Sequence, residues 1–170
     1  IEHIYAAGDV VGFPALASTS MEQGRIAVTH AFQFGYKDHL SAILPFGIYA
    51  IPECSMAGAT EEKLIRDGIP YIAGRARYSN NARGTIVGDD LGHLKLLFHK
   101  ETQKLLGVHV IGEQATEIIH VGLTAMVMEA DLGLFIRTCY NYPTLSEMYK
   151  YAAYDALGKM PEASRHEPMD

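Results

Sequence analysis

The stretch HLKLLFHKETQKLLGVHVIG, residues 93–112, decides the fold. Its two apolar runs, 93–99 and 105–112, carry the alternation of a half-buried strand. The polar pentapeptide KETQK between them has hairpin length. Strands joined this way run antiparallel. Working upstream, FGIYAIPE (46–53, ending near Pro52), PYIAGRARY (70–78) and GTIVGD (84–89) add strand signals. EEKLIRDG (61–68) reads as a short helix closed by Gly68. Segments so close in sequence predict one antiparallel sheet of about four or five strands. Downstream the period changes to helical in 113–131, 132–139 and 140–152. The expected class is therefore α+β, an antiparallel sheet with helices.

The N-terminal part reads differently. IEHIYAAGDV (1–10) is a short apolar run, expected as a strand, ending in Gly8-Asp9. A loop with Gly12 and Pro14 follows. A helix is expected over 16–34, with Ile26, Ala27, His30, Ala31 and Phe34 on one face. The segment GYKDHLSAILPF (35–46) is a connector. The expected division is 1–44, 45–157 and a polar tail over 158–170. The chain opens inside an apparent strand without an initiator Met, so it reads as a piece of a longer protein.

Composition narrows the function classes. The chain has 170 residues, 48% of them hydrophobic and 20% charged, which is ordinary for a globular protein. Its net charge of −6, with no basic patch, argues against a nucleic-acid partner. No apolar run reaches the ~18 residues of a membrane span. Cys54 and Cys139 lie far apart in no CxxC pattern, as expected of a reducing cytosol, and read as small buried hydrophobes. The expected location is cytoplasmic.

Several features suggest sites. In the helix over 113–131, Ile118, Ile119, Val121, Leu123, Ala125, Met126, Val127 and Met128 cover nearly the whole circumference. Such a helix is covered on two sides, by its sheet and by a second subunit, or it is central to one core. Glu117 and His120 form one E-x-x-H, half of a di-iron motif. No second E-x-x-H accompanies it, and no metal is expected. Gly8-Asp9 before a loop and a helix has the shape of a nucleotide-cofactor site: glycine permits close backbone approach, and a helix N-terminus favours an anion. Taken alone the pair is more often a turn or an N-cap. In YNYPTLSEMYKYA (140–152), Pro143 can open a helix, because its missing N–H would have had no partner there. Tyr140, Tyr142 and Glu147 crowd around it.

Four ordered stretches resemble one family. IYAAGDVVGFPALASTSMEQGRIAVTHAF is similar to the second flavin-binding motif of the pyridine nucleotide–disulfide oxidoreductases. IPECSMAGATEEKL, LKLLFHKETQKLLGVHVIGEQATEIIHVG and YNYPTLSEMYKYAAYDAL resemble, in order, that family's C-terminal dimerisation domain. The resemblance implies that residues 1–44 are the last strand and helix of an FAD-binding domain and that 45–157 is the dimerisation domain. It implies that Asp9, after Gly8, binds the flavin ribitol. It also implies that the helix start at Leu16 and Ala17 turns backbone N–H groups to the flavin's pyrimidine edge, where negative charge develops. The implied partner is a second copy of the chain, and the implied cofactors of the parent are FAD, NAD and NADP. FAD itself is not expected on this chain alone, since the first glycine-rich FAD motif would lie upstream.

The family's dithiol enzymes carry a His immediately before the proline of the last motif, oriented by a Glu five positions later. Glu147 and Pro143 match, but Tyr142 stands at the His position. A phenol with an unperturbed pKa near 10 is a poor base at neutral pH. That departure argues against dithiol–disulfide exchange and suits an enzyme that only moves hydride. The resemblance implies a parent that moves it between NADPH and NAD, with Tyr142, Pro143 and Glu147 lining the partner subunit's active site and no catalytic residue in this chain. Alternatives are a dihydrolipoamide dehydrogenase-like or mercuric reductase-like parent, or a purely structural dimerisation module.

Overall fold

The structure is a computed structural model and describes residues 1–161. The chain divides into two compact units, 1–44 and a second beginning at Pro45.

The first unit holds one helix, α1 (Ala17–Ala31), after a short 3-10 turn at Asp9–Val11. Residues 1–8 form no strand, contrary to expectation. A strand exists only by sharing a hydrogen-bond ladder, and the described residues of this unit offer no second strand to pair with. The apolar face expected on α1 is open: Ile26, Ala27 and His30 line a cavity of about 610 Å³.

The second unit is built on β1 (Pro45–Ile48), β2 (Cys54–Gly58), β3 (Tyr71–Arg77), β4 (His93–His99) and β5 (Leu105–Ile111). Between and after these strands come α2 (Glu61–Arg66), α3 (Ala82–Val87), α4 (Ala115–Val127), α5 (Leu132–Arg137) and α6 (Met148–Gly158). The strands form one five-stranded antiparallel sheet in the order β1-β2-β5-β4-β3. The 93–112 hairpin is its centre, with Leu94 opposite Val110 and Leu96 opposite Val108. A register shift between Leu97 and Phe98 breaks the strict alternation there.

One expected strand is lost and one unexpected strand appears. GTIVGD folds instead into α3, because the Asn81 side-chain carbonyl accepts from the N–H groups of Arg83 and Gly84, and Gly88 closes the helix in the left-handed region. CSMAG, not singled out as a strand, becomes β2 by pairing on both sides.

Cross-strand neighbours Gly74, Leu96 and Val108 point to one face of the sheet. α6 crosses over Gly74, and α4 crosses over Val108 at Gly122. The two helices are joined by Tyr149, whose buried hydroxyl donates to the Ile118 carbonyl at 2.9 Å and accepts from the Gly122 N–H at 3.1 Å. Phe135 stacks on the Tyr149 ring and meets Phe98 edge-on. This aromatic seam closes the core between sheet and helices.

α4 keeps a polar side after all. Ile118, Ile119, Gly122, Ala125 and Met126 face the core, while Glu117, His120 and Thr124 are exposed. Positions 117, 120, 124 and 127 follow helical spacing, so the exposed apolar part narrows to Val127 and Met128 at the C-terminal end. Cys139 is exposed and Cys54 half-buried, so neither is the core residue that composition suggested. The polar tail starts later than expected. Met160 is 1% exposed, and Lys159 donates to the Ala73 carbonyl, so both belong to the packed domain. The rest of that tail, 162–170, lies outside the described residues.

Candidate functional site

In the first unit, Gly8 takes φ 88 and ψ −162, a conformation essentially closed to residues with a side chain. Its N–H donates to Gln23 Oε1 at 2.6 Å, which pins the turn to the flank of α1. Asp9 follows, exposed, and its carboxylate has no partner among the described residues. The start of α1 is unusual in composition. Its N-cap is Leu16, extended at φ −131, with no side chain capping the helix. Helix N-caps favour Ser, Thr, Asp or Asn, whose oxygens satisfy the first N–H groups. Thr19 and Ser20 follow within the first turn, but both hydroxyls turn back to the Leu16 carbonyl. The leading N–H groups, beginning at Ala17, are left without an intrahelical or side-chain cap partner. Gly8, Asp9, Leu16 and Ala17 thus share one unit, at a turn and a helix start that present free donors and one free carboxylate.

In the second unit, residues 140–144 form a loop that leads through a 3-10 turn (Leu145–Glu147) into α6. Tyr142 stands at its tip, 72% exposed. Pro143 does not open the helix as expected. It precedes Thr144, which takes the cap position: Thr144 Oγ1 accepts from the Glu147 N–H at 3.3 Å and donates to the Asn141 carbonyl at 2.8 Å. The signal was present in Thr144-Leu145-Ser146-Glu147, the S/T-x-x-E of a capping box. The reciprocal half of the box is missing, because the Glu147 carboxylate accepts instead from the Tyr151 hydroxyl at 3.2 Å. The Glu147 charge, with burial and this hydrogen bond, raises the Tyr151 pKa. Tyr140, at the loop's root, is pushed up to about 12 by burial. A cavity of about 340 Å³ lies beside the loop, with Pro143, Thr144 and Leu145 on one side and Arg83, Gln114 and Glu117 on the other.

Sequence reading missed the residue that holds this loop. Asn81 is 1% exposed and donates from Nδ2 to the Thr144 carbonyl at 3.0 Å, across 63 positions of sequence. Its only trace in sequence is an Asn before a helix-competent segment. Glu117 and His120 are both exposed, and no group of three or more potential metal ligands forms among the described residues.

The sequence and the fold have counterparts. The sequence profile of the pyridine nucleotide-disulphide oxidoreductase dimerisation domain matches residues 44–153. The soluble pyridine nucleotide transhydrogenase of Mycobacterium bovis is 52% identical over 94% of this chain, which spans 34% of that protein. The enzyme of the same name from Yersinia pestis is 45% identical over 94% of this chain and 35% of its own length. The chain thus spans about a third of the length of the curated relatives it matches. Among solved structures, LpdA of Mycobacterium tuberculosis superposes with a TM-score of 0.80 at 26% identity, over 89% of this chain and 33% of LpdA. The HOCl-induced flavoprotein disulfide reductase RclA of Escherichia coli gives 0.78 over 86% of this chain and 34% of its own, at 22% identity, a likeness of fold.

Proposed function

The chain belongs to the pyridine nucleotide–disulphide oxidoreductase family by its dimerisation domain, and on that premise we propose that it is the C-terminal, flavin-contacting segment of an NADPH–NAD transhydrogenase. The observation that carries the reading is Tyr142 at the tip of the loop, with Glu147 engaged by Tyr151. That loop presents no imidazole, and so no base suited to a thiol at neutral pH. Hydride passing between two nicotinamides needs none. The relatives named soluble transhydrogenases support the same reading at 52% and 45% identity. NAD and NADP are the nicotinamide cofactors it implies.

The first unit fits FAD. The Gly8 conformation admits a ligand against the backbone, the Asp9 carboxylate is free to accept from a ribitol hydroxyl, and the uncapped start of α1 offers N–H groups at Leu16–Ala17 to an electron-rich ring edge. An apolar N-cap costs the isolated helix some stability, of order ~1 kcal/mol against a Ser or Asp. A ligand that takes up those donors offsets it. When bound, flavin supplies the site that accepts hydride from one nicotinamide and returns it to another. This chain's part is to orient that ring edge and, through Tyr142, Pro143 and Glu147, to shape the partner subunit's pocket.

The experiment is steady-state transfer from NADPH to an NAD analogue by the full-length protein, with a dithiol substrate as the contrast. Hydride transfer without dithiol turnover is the expected result. Dithiol turnover at a comparable rate would move the chain to the dihydrolipoamide dehydrogenase-like reading. Tyr142→Phe should leave hydride transfer within about tenfold, since loss of a general base costs ~10²–10⁴. A greater fall would make the phenol chemical.

Assembly follows from the same premise. Met126 is 5% exposed, packed with its sulfur over Gly58, so it serves its own core. Val127 (55% exposed), Met128 and Tyr151 remain as apolar surface on α4 and α6. A two-fold homodimer would cover a patch of this kind, each copy using the same face. The 18.7 kDa chain is expected to sediment at twice its mass at micromolar concentration. Val127→Lys should weaken that association at least about tenfold. A soluble, folded monomer of the unmodified chain would remove the interface from these residues.

A further inference from the structure

We propose that Asn81 is a positioning residue for the Tyr142 loop, fixing the height at which the loop stands off the domain; this rests on reading the loop as part of the partner subunit's flavin pocket. Asn81 belongs to the base, not the loop. Its backbone N–H donates to the Tyr78 carbonyl, and its own carbonyl accepts from the Thr85 N–H and hydroxyl. Its side-chain oxygen caps α3 through the N–H groups of Arg83 and Gly84 at 3.0 and 3.1 Å. Tyr78, fully buried beneath it, is tied through its hydroxyl to the Glu113 carbonyl at 2.9 Å, just ahead of α4. With its oxygen and backbone engaged in this way, Asn81 has its side-chain NH₂ left, and one of that group's two N–H donors meets the Thr144 carbonyl.

The loop's other hydrogen bonds are internal or run forward into α6: Thr144 to Asn141, Glu147 to Thr144, and Tyr151 to Glu147. They hold the loop's shape but do not set its place. Among the described residues, the Asn81–Thr144 bond is the hydrogen bond that ties 139–144 to another element, while the buried Leu145 provides apolar anchorage. Leu145 fixes the root, whereas the amide bond acts two residues from the exposed Tyr142. Asn serves both ends at once because its side chain carries an acceptor and a donor on one planar group. Ser or Asp would cap α3 but has no amide to reach Thr144.

That difference separates the two roles. In the full-length holoenzyme, Asn81→Ser keeps the cap and loses the tie, and Asn81→Ala loses both. A loosened loop exposes the flavin, so iodide should quench the flavin fluorescence of Asn81→Ser more strongly than the parent's. The kcat/KM for hydride transfer should fall about tenfold, mostly in KM, because a small misplacement of a positioning group is costly. The melting temperature of Asn81→Ser should stay near the parent's, and that of Asn81→Ala should drop. Asn81→Asp replaces the serine variant if the latter does not fold. Tyr142→Ala is the control for the loop itself. Parent-like quenching and kinetics in Asn81→Ser, with both altered in Tyr142→Ala, would show that Asn81 only caps α3 and overturn the proposal. Parent-like behaviour in both variants would overturn it together with the reading of the loop.

Discussion

Gly74→Val is expected to lower the melting temperature of this chain by about 10 °C or more, from a loss of at least about 3 kcal/mol. A Cβ on Gly74 would fall inside the van der Waals radius of the Ala152 carbonyl oxygen and against the Ala156 methyl. The neighbour is helix backbone, which cannot rotate away. α6 would have to lift off β3, and it carries Tyr149, whose hydroxyl joins α6 to α4, and the root of the Tyr142 loop. The ring stack from Phe98 through Phe135 to Tyr149 would open with it. Thermal unfolding followed by circular dichroism measures the effect. A variant melting within about 2 °C of the parent would mean that α6 does not sit on β3 as described.

Asp9→Ala carries the second large effect, on the ligand and not on the fold. Asp9 is exposed and its side chain makes no hydrogen bond among the described residues, while its backbone carbonyl, which accepts from the Gly12 N–H, is retained in alanine, so the substitution should leave the melting of this chain unchanged. In the full-length protein it should weaken flavin binding about 10- to 100-fold, since a hydrogen bond to a charged group is worth ~1.5–3 kcal/mol. Flavin fluorescence released on dilution reads this directly. Equal flavin retention in Asp9→Ala and parent would remove Asp9 from the flavin site. The two predictions fail independently, because one tests packing in the second unit and the other a free carboxylate in the first.

How far the sequence could be read depended on how local the determining forces are. The 93–112 hairpin was legible because alternation and a polar turn are encoded within twenty consecutive residues. The helices α2, α4, α5 and α6 were legible from their period and stops. GTIVGD misled, because its β-branched residues suggest a strand, while the Asn81 cap and Gly88, just outside its central part, favour a helix. A cap satisfies two otherwise orphaned N–H groups, which outweighs a propensity difference of tenths of a kcal/mol per residue. In the candidate site, Gly8, Asp9, Leu16 and Ala17 stood out through motif resemblance alone, whereas the positive φ of Gly8 and the lack of a side-chain cap at Leu16 became visible only in the structure.

By itself, then, the sequence determined the α+β class, the 93–112 hairpin and the family, all of which follow from patterns between near neighbours. It also put a tyrosine, Tyr142, and no imidazole immediately before Pro143. Tertiary structure alone decided the rest. It turned the polar positions of α4 outward, buried Met126 and Met160, and left residues 1–8 without a ladder. It also brought Asn81 to Thr144 across 63 positions. The physical reason is the same in each case. Burial and hydrogen-bond satisfaction depend on which surfaces meet, and those surfaces come from segments whose separation along the chain carries no periodic trace.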